Sequence, residues 1–272
     1  MTLQLGILGA DGRMGLAIIQ SIAEMDGVSL GAAITAPNSP ALGQDAGVLA
    51  GLDAEGVVLT DDFNAGLDSC DVLIDFSAPK AAIDAALILS GTGHSGRCRA
   101  MVSGTTGFTE TESHAIEAAA GTIALLRAGN FSPGVTALSV LVELAAEKLN
   151  AGWDIEILEM HHRYKVDAPS GTALLLGEAA AEGRGITLKD SQVLSREGMT
   201  GARNAGDIGF AALRGGGVIG QHEVKLASDR EMITLSHEAF DRSVFARGAV
   251  SAAIWIADQK KGLYSMRDVL GF

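Results

Sequence analysis

Short apolar runs alternate with helical periods along the chain, and polar turns rich in glycine separate them. Residues 3–8 are β-compatible and apolar, residues 9–15 form a glycine turn, and residues 16–23 carry an apolar helical period. Residues 28–34 predict a second strand, and residues 41–66 predict an irregular connection with one strand near 57–59. Residues 70–76 are apolar enough for a strand buried on both faces, with a helix from Lys80 to about Leu89 after it. The same step from apolar strand to polar turn returns at residues 100–107 and 122–134. Successive units of this kind predict a parallel sheet wound by right-handed crossovers, with ligands at the carboxyl ends of its strands.

The rhythm then changes. Residues 135–149 predict a long amphipathic helix, the passage into a second domain, and the alternation over residues 154–160 predicts a strand that delivers His161. A turn marked by Pro169 and Gly171 leads to an apolar helix over residues 173–180. Beyond a polar loop at 195–203, residues 208–220, 222–227 and 231–237 are β-rich and hairpin-like. Residues 242–257 predict a helix that returns to the first domain, and the tail packs there too. The expected fold is α/β, a doubly wound parallel sheet plus a second α+β domain with an open mixed sheet. The expected boundaries are 1–131 with 241–272 for the first domain and 132–240 for the second.

Composition narrows the class. The chain has 272 residues, 47% hydrophobic but 4% aromatic, so Ala, Leu, Ile and Val must fill its cores. A net charge of -13 argues against nucleic acid and anionic membranes as partners, and makes any local cluster of cations informative. Cys70 and Cys98 are expected as free thiols. With no export signal and no apolar run long enough to span a bilayer, a soluble, cytoplasmic protein is expected.

Two stretches carry chemistry. The first is Gly9-Ala10-Asp11-Gly12-Arg13-Met14-Gly15, a G-x-x-G-x-x-G variant of the dinucleotide fingerprint between a strand and a helix, which makes the first sheet Rossmann-like. Arg13 can pair with a cofactor phosphate. After the second strand, where a ribose-reading acid or Arg is usual, the chain has Thr35, Ala36, Pro37 and Asn38. The turns Gly104-Thr105-Thr106-Gly107 and Ala128-Gly129-Asn130-Phe131 stand where a nicotinamide could lie. The second stretch runs from Glu159 to Thr172, with His161, His162, Arg163 and Lys165 ahead of Ser170-Gly171-Thr172. If the strand continues, His161, Arg163 and Lys165 share one side and His162 faces the other. Ser170 or Thr172 can cap the next helix, whose start suits a carboxylate or phosphate. An ordinary polar strand end is the bland alternative. No metal is expected, because successive histidines rarely converge on one ion and no other Cys or His has ligand-like spacing. His94, His114, His222 and His237 lack comparable company and are read as surface or satisfied structural residues, with His237 the foremost exception.

These stretches, with Asn130–Gly134, Ser195–Gly198, residues 218–222 and residues 266–270, make the chain resemble the dihydrodipicolinate (4-hydroxy-tetrahydrodipicolinate) reductase family end to end. The resemblance implies an NADH- and/or NADPH-dependent oxidoreductase of lysine and diaminopimelate biosynthesis, acting on a cyclic dicarboxylate. It implies hydride addition at ring C4 and a proton from His161, with Lys165 as its partner. It implies cofactor contacts at Gly9–Met14, Gly104–Thr106 and Ala128–Phe131, and substrate contacts at His162, Gly171 and Thr172; the chemistry of the residues adds Thr35 on the cofactor side and Lys165 and Ser170 as holders of the substrate carboxylates. A homotetramer built through the second domain is implied as well. Family members commonly carry an acid, often followed by Arg, where this chain has Thr35-Ala36, so tolerance of both cofactors is expected. Two other readings stay open: another two-domain amino-acid-pathway dehydrogenase, and a non-catalytic nicotinamide-nucleotide sensor, against which the His161/Lys165 pair argues.

Overall fold

The computed structural model describes residues 2–91, 96–149 and 151–272. The first part of the chain supplies β1 (Leu3–Leu8), β2 (Val28–Ile34), β3 (Leu59–Thr60), β4 (Val72–Asp75), β5 (Ala100–Ser103) and β6 (Ala124–Arg127). Next come β7 (Asp154–His161), β8 (Gln192–Val193), β9 (Ile208–Arg214), β10 (Gly220–Ala227) and β11 (Met232–Ala239), and the tail adds β12 (Gly262–Tyr264). The chain divides into one unit of Met1–Phe131 with Ser243–Phe272 and a second of Ser132–Arg242.

In the first unit seven strands pair in the order β12-β6-β5-β4-β1-β2-β3, all parallel. The winding reverses beside β1, which pairs with β2 on one side and β4 on the other. Leu8 is in register with both Ile34 and Asp75, so three strand ends open together at this switch point, where such sheets bind ligands. Alternation along the strands feeds two cores. Leu5, Ile7, Ile74 and Val102 pack with the helices Arg13–Ala23 and Ser243–Ile256. Leu73, Met101 and Leu125 pack with the helices Pro79–Ser90 and Glu110–Glu117. With few aromatics available, the approach is close: Ala246, Ala249, Ala252 and Ala253 of the returning helix are fully buried. Strand β12 extends the sheet beyond β6.

The second unit holds a five-stranded sheet in the order β11-β10-β7-β9-β8. It is mixed: β10 is antiparallel to β7 and β11, whereas β9 is parallel to β7 and β8. The helices Pro133–Lys148 and Gly171–Arg184 cover one face. Along β7 burial strictly alternates, placing Ile155, Ile157, Glu159 and His161 on the covered side. On the other side Leu158 and Met160 lie opposite Ala211 and Leu213 of β9. Leu213 is 48% exposed and Met232 57% exposed, so this face keeps apolar surface open.

Strand β7 ends at His161, and the chain turns at once, Lys165 N–H donating to the His162 carbonyl at 3.1 Å. The extended-strand argument for a shared side of His161, Arg163 and Lys165 therefore stops at His161. Among the described residues no helix is long and apolar enough to cross a membrane. No group of three or more His, Cys, Asp or Glu among them is placed to hold a metal ion.

Candidate active site

The glycine turn in the first unit is bent by Gly9, whose φ of +83° is a left-handed conformation that favours glycine. Both Gly9 N–H and Ala10 N–H donate to the Ile34 carbonyl, tying the turn to the end of β2. Gly12 then starts the helix Arg13–Ala23 with no side-chain cap and no acid in the first turn. Such a start presents N–H groups and a positive dipole end to an anion. Arg13 is exposed and Met14 half-buried beside it.

A cavity of about 560 Å³ opens beside this turn, lined by Gly9, Asp11, Gly12, Thr35 and Ala36, with Phe76 and Ser77 among the rest. Thr35 is 3% exposed, yet its Oγ1 has no hydrogen-bond partner of normal geometry. A buried hydroxyl without a well-formed hydrogen bond in a cavity wall suits a polar ligand, so these residues fit the adenosine half of a dinucleotide. Asp11 accepts from Ser39 Oγ at 2.6 Å. Burial would raise its carboxyl, but Ser39 and nearby Thr35 hold it below the usual range, as a carboxylate.

The other two turns are drawn together by a residue that the motifs did not single out. Asp75, fully buried at the end of β4, accepts from Ser103 Oγ at 2.6 Å and from Ser77 N–H at 3.1 Å. Burial pushes its carboxyl up against these donors. Gly104 N–H donates to the Asp75 carbonyl, Ala128 N–H to the Ser103 carbonyl, and Ser77 N–H also to Thr105 Oγ1. Thr106 and Gly129 are exposed and Asn130 is half-buried, while Phe131 is buried and tilts against Phe76 with ring centres 5.3 Å apart. The three turns thus follow the carboxyl ends of β1, β5 and β6, with β4 and Asp75 between the first two.

In the second unit the site is built on Glu159, 1% exposed. Its carboxylate receives His161 Nδ1–H at 2.6 Å, Ser170 N–H at 3.1 Å, and two Arg214 N–H groups at 2.7 Å each. Burial would raise its pKa, but Arg214 and His161 bring it below the ordinary glutamate value. His161 is itself buried, and that burial outweighs the pull of Glu159, lowering its pKa below 6.5. With Nδ1 held, Nε2 is the nitrogen free to exchange a proton. Gly220 leaves it uncovered, since a methyl group there would sit 3.2 Å from Nε2.

Ser170 caps the helix Gly171–Arg184 by accepting from Ala173 N–H at 3.1 Å. Gly171 is exposed and Thr172 half-buried at this start, which has no acid in its first turn. Lys165 holds both Asp167 carboxylate oxygens at 2.8 Å. It is close enough to push the His161 pKa down. His162 is half-buried with its Nδ1 unpartnered, and its ring lies 6.4 Å from that of Tyr164.

Sequence reasoning missed Arg214 and misjudged His222. Strand pairing sets His222 directly across from Glu159, with its ring 5.1 Å from that of His161. Ser170 Oγ and His222 Nε2 share a hydrogen bond of 3.1 Å, whose direction follows the tautomer of the ring, and His222 Nδ1 is buried without a partner. Burial and the neighbouring His161 take the His222 pKa down to about 4, so the ring is neutral at physiological pH. No local signal could have shown this, as the pairing joins residues far apart in the chain. His237 lies within 3.3 Å of Ser132 Oγ, and His114 is exposed. His94 lies outside the described residues.

A dinucleotide-type sheet in one unit and a buried imidazole aligned by a carboxylate in the other place the chain among two-unit NAD(P)-dependent oxidoreductases. The model for the amino-terminal domain of dihydrodipicolinate reductase matches residues 3–131, and that for its carboxyl-terminal domain matches residues 134–270. The chain belongs to the dihydrodipicolinate reductase family. It is 51% identical to the 4-hydroxy-tetrahydrodipicolinate reductase of Allorhizobium ampelinum, covering 99% of this chain and 98% of that protein. It is 54% identical to that of Sinorhizobium medicae, covering 99% and 97%. Its activity is accordingly that of a 4-hydroxy-tetrahydrodipicolinate reductase of lysine and diaminopimelate biosynthesis, acting on a small molecule with a nicotinamide cofactor.

Among solved structures, a dipicolinate-bound dihydrodipicolinate reductase from Paenisporosarcina sp. TG-14 superimposes with a TM-score of 0.76 at 24% identity, covering 97% of this chain and 98% of that one. An amine dehydrogenase from Mycobacterium smegmatis follows at 0.66 and 14%, covering 98% and 95%. At these identities they show a shared fold.

Proposed function

We propose that His161 is the general acid of the reduction, aligned by Glu159, and that Lys165 with the Ser170-Gly171-Thr172 helix start holds the substrate carboxylates. The observation that carries this reading is the 2.6 Å bond from His161 Nδ1 to a carboxylate buried beneath it. A ring fixed through one nitrogen presents the other in a set direction, as proton transfer requires. When bound, the reduced nicotinamide supplies the hydride taken up at ring C4 of the conjugated dihydrodipicolinate, which forms as the 4-hydroxyl leaves as water. His161 gives its Nε2 proton to the adjacent electron-rich carbon C3. The low pKa of the free site rises when a dianionic substrate arrives, because negative charge favours the imidazolium. Lys165 exchanges Asp167 for a substrate carboxylate, and His162 borders the same anion.

Lys165→Ala is expected to lower kcat and raise KM, costing about 10–100-fold in kcat/KM, the usual range for a charge-assisted hydrogen bond. Pyridine-2,6-dicarboxylate, a planar analogue, separates binding from proton transfer. In thermal shift with NADH present it should stabilise wild type and His161→Gln but not Lys165→Ala. Equal stabilisation of all three would remove Lys165 from the carboxylate site.

The second part of the proposal concerns the cofactor and assembly. Gly9–Met14, Thr35, Gly104–Thr106 and Ala128–Phe131 hold NADH or NADPH, and neutral Thr35 supports tolerance of both. A preference above about 100-fold, roughly 2.7 kcal/mol, would overturn that. The open apolar face around Leu158, Met160, Leu213 and Met232 supports a homotetramer formed through the second unit's sheet. Sedimentation as a monomer at micromolar concentration would sink it. A biosynthetic enzyme whose two cysteines are buried and form no disulfide suits the cytoplasm.

A further inference from the structure

At the end of β2 the chain has neither an acid for a ribose diol nor an Arg for a 2′-phosphate. The cavity beside Thr35 and Ala36 nevertheless has charge in its wall, contributed by a different element. Lys80, in the first turn of the helix Pro79–Ser90, is the one cation among the described residues that line it, and Asp11 and Asp84 are its acids. The Lys80 side chain is 86% exposed and reaches Asp84 one turn along the helix at 2.6 Å. Exposed pairs of this spacing are weak and readily exchanged. Asp11 is directed at Ser39 Oγ. In the same wall, Thr35 Oγ1 is buried within reach of the Asp11 carboxylate but makes no hydrogen bond of normal geometry, so a polar ligand group can complete its bonding there. Phe63 and Ala81 make the remaining wall apolar, as an adenine ring requires.

We propose that Lys80, exchanging Asp84 for the ligand, recognises the 2′-phosphate of NADPH, while Thr35 Oγ1 meets the ribose of either cofactor. The inference rests on the reading of this cavity as the adenosine site. A phosphate dianion draws an ammonium group more strongly than a single carboxylate does. The cation is flexible, and NADH leaves it on Asp84 at no loss. A rigid Arg at the strand end would select more sharply. Tolerance of both cofactors follows from where the charge is placed.

Titration calorimetry of wild type, Lys80→Ala, Lys80→Arg and Asp84→Asn with NADPH, NADH, adenosine 2′,5′-bisphosphate and 5′-AMP tests this without reading turnover. Lys80→Ala should weaken NADPH and the bisphosphate about tenfold, and NADH and AMP less than about twofold, with Lys80→Arg close to wild type. Asp84→Asn should tighten NADPH about two- to fivefold by freeing Lys80, and added salt should weaken NADPH less in Lys80→Ala than in wild type. Unchanged NADPH affinity in Lys80→Ala, or an equal loss for both cofactors, overturns the role of Lys80 while the cavity reading stands. Failure of both dinucleotides to bind wild type overturns the cavity reading itself. Lys80 is exposed, so the folding of these variants is not at risk.

Discussion

Replacing His161 by Gln is expected to lower kcat by about 10²–10⁴-fold and to leave KM within a few-fold of wild type. Gln keeps most of the ring's volume and can still donate to Glu159, but it has no proton to transfer, so the loss falls on the transition state. The pH dependence should identify the same group. Burial depresses the His161 pKa below 6.5 and Glu159 only partly restores it, so the free protein carries a mostly neutral imidazole at neutral pH. A required imidazolium then makes kcat/KM fall as pH rises through that depressed value. Bound dicarboxylate raises the pKa, so kcat should fall at a higher pH than kcat/KM does. Steady-state rates from acid to mildly alkaline pH check both. Near-normal kcat in His161→Gln would pass the acid role to Lys165 or water.

Glu159→Ala should be the most damaging single change to the second unit, at about 3–5 kcal/mol of stability. The residue is buried, and its loss strands the Arg214 guanidinium, the Ser170 N–H and His161 Nδ1–H together. Urea unfolding should show the cost. Glu159→Ala combined with Arg214→Leu should recover part of it, because the stranded charge goes with the second substitution. Activity should not recover, since His161 still lacks the partner that orients it. Unfolding of Glu159→Ala at the wild-type midpoint would remove the carboxylate from its structural role.

The amino-terminal half was legible because its signals are local. Strand, glycine turn and helix follow one another within residues 3–23, and the bend at Gly9 falls at a glycine in that segment. The strand ending at His161 was equally plain from alternation, and burial along β7 follows it residue by residue. Glu159 shares the covered side with His161 in that alternation, but no local signal shows what meets it there. Arg214 comes from β9, parallel to β7, and His222 from β10, antiparallel to it. A one-residue change of register in either strand would turn these side chains to the opposite face. Asp75 looked like a polar strand end until pairing with β5 set it beside Ser103. Lys80 starts its helix in the sequence, and only the fold brings it to the cavity that Thr35 and Ala36 also line.

By itself the sequence determined that a wound parallel sheet begins the chain, that the glycine turn opens its first helix, and that an imidazole and an ammonium stand together near a second helix start. These depend on periodicity and turn chemistry over a few residues. Only the tertiary structure decided which carboxylate aligns the imidazole, that His222 is a neutral neighbour, and that the cation lining the cavity beside the glycine turn comes from another helix. Those contacts join segments distant in the chain, and their geometry is set by strand order and register.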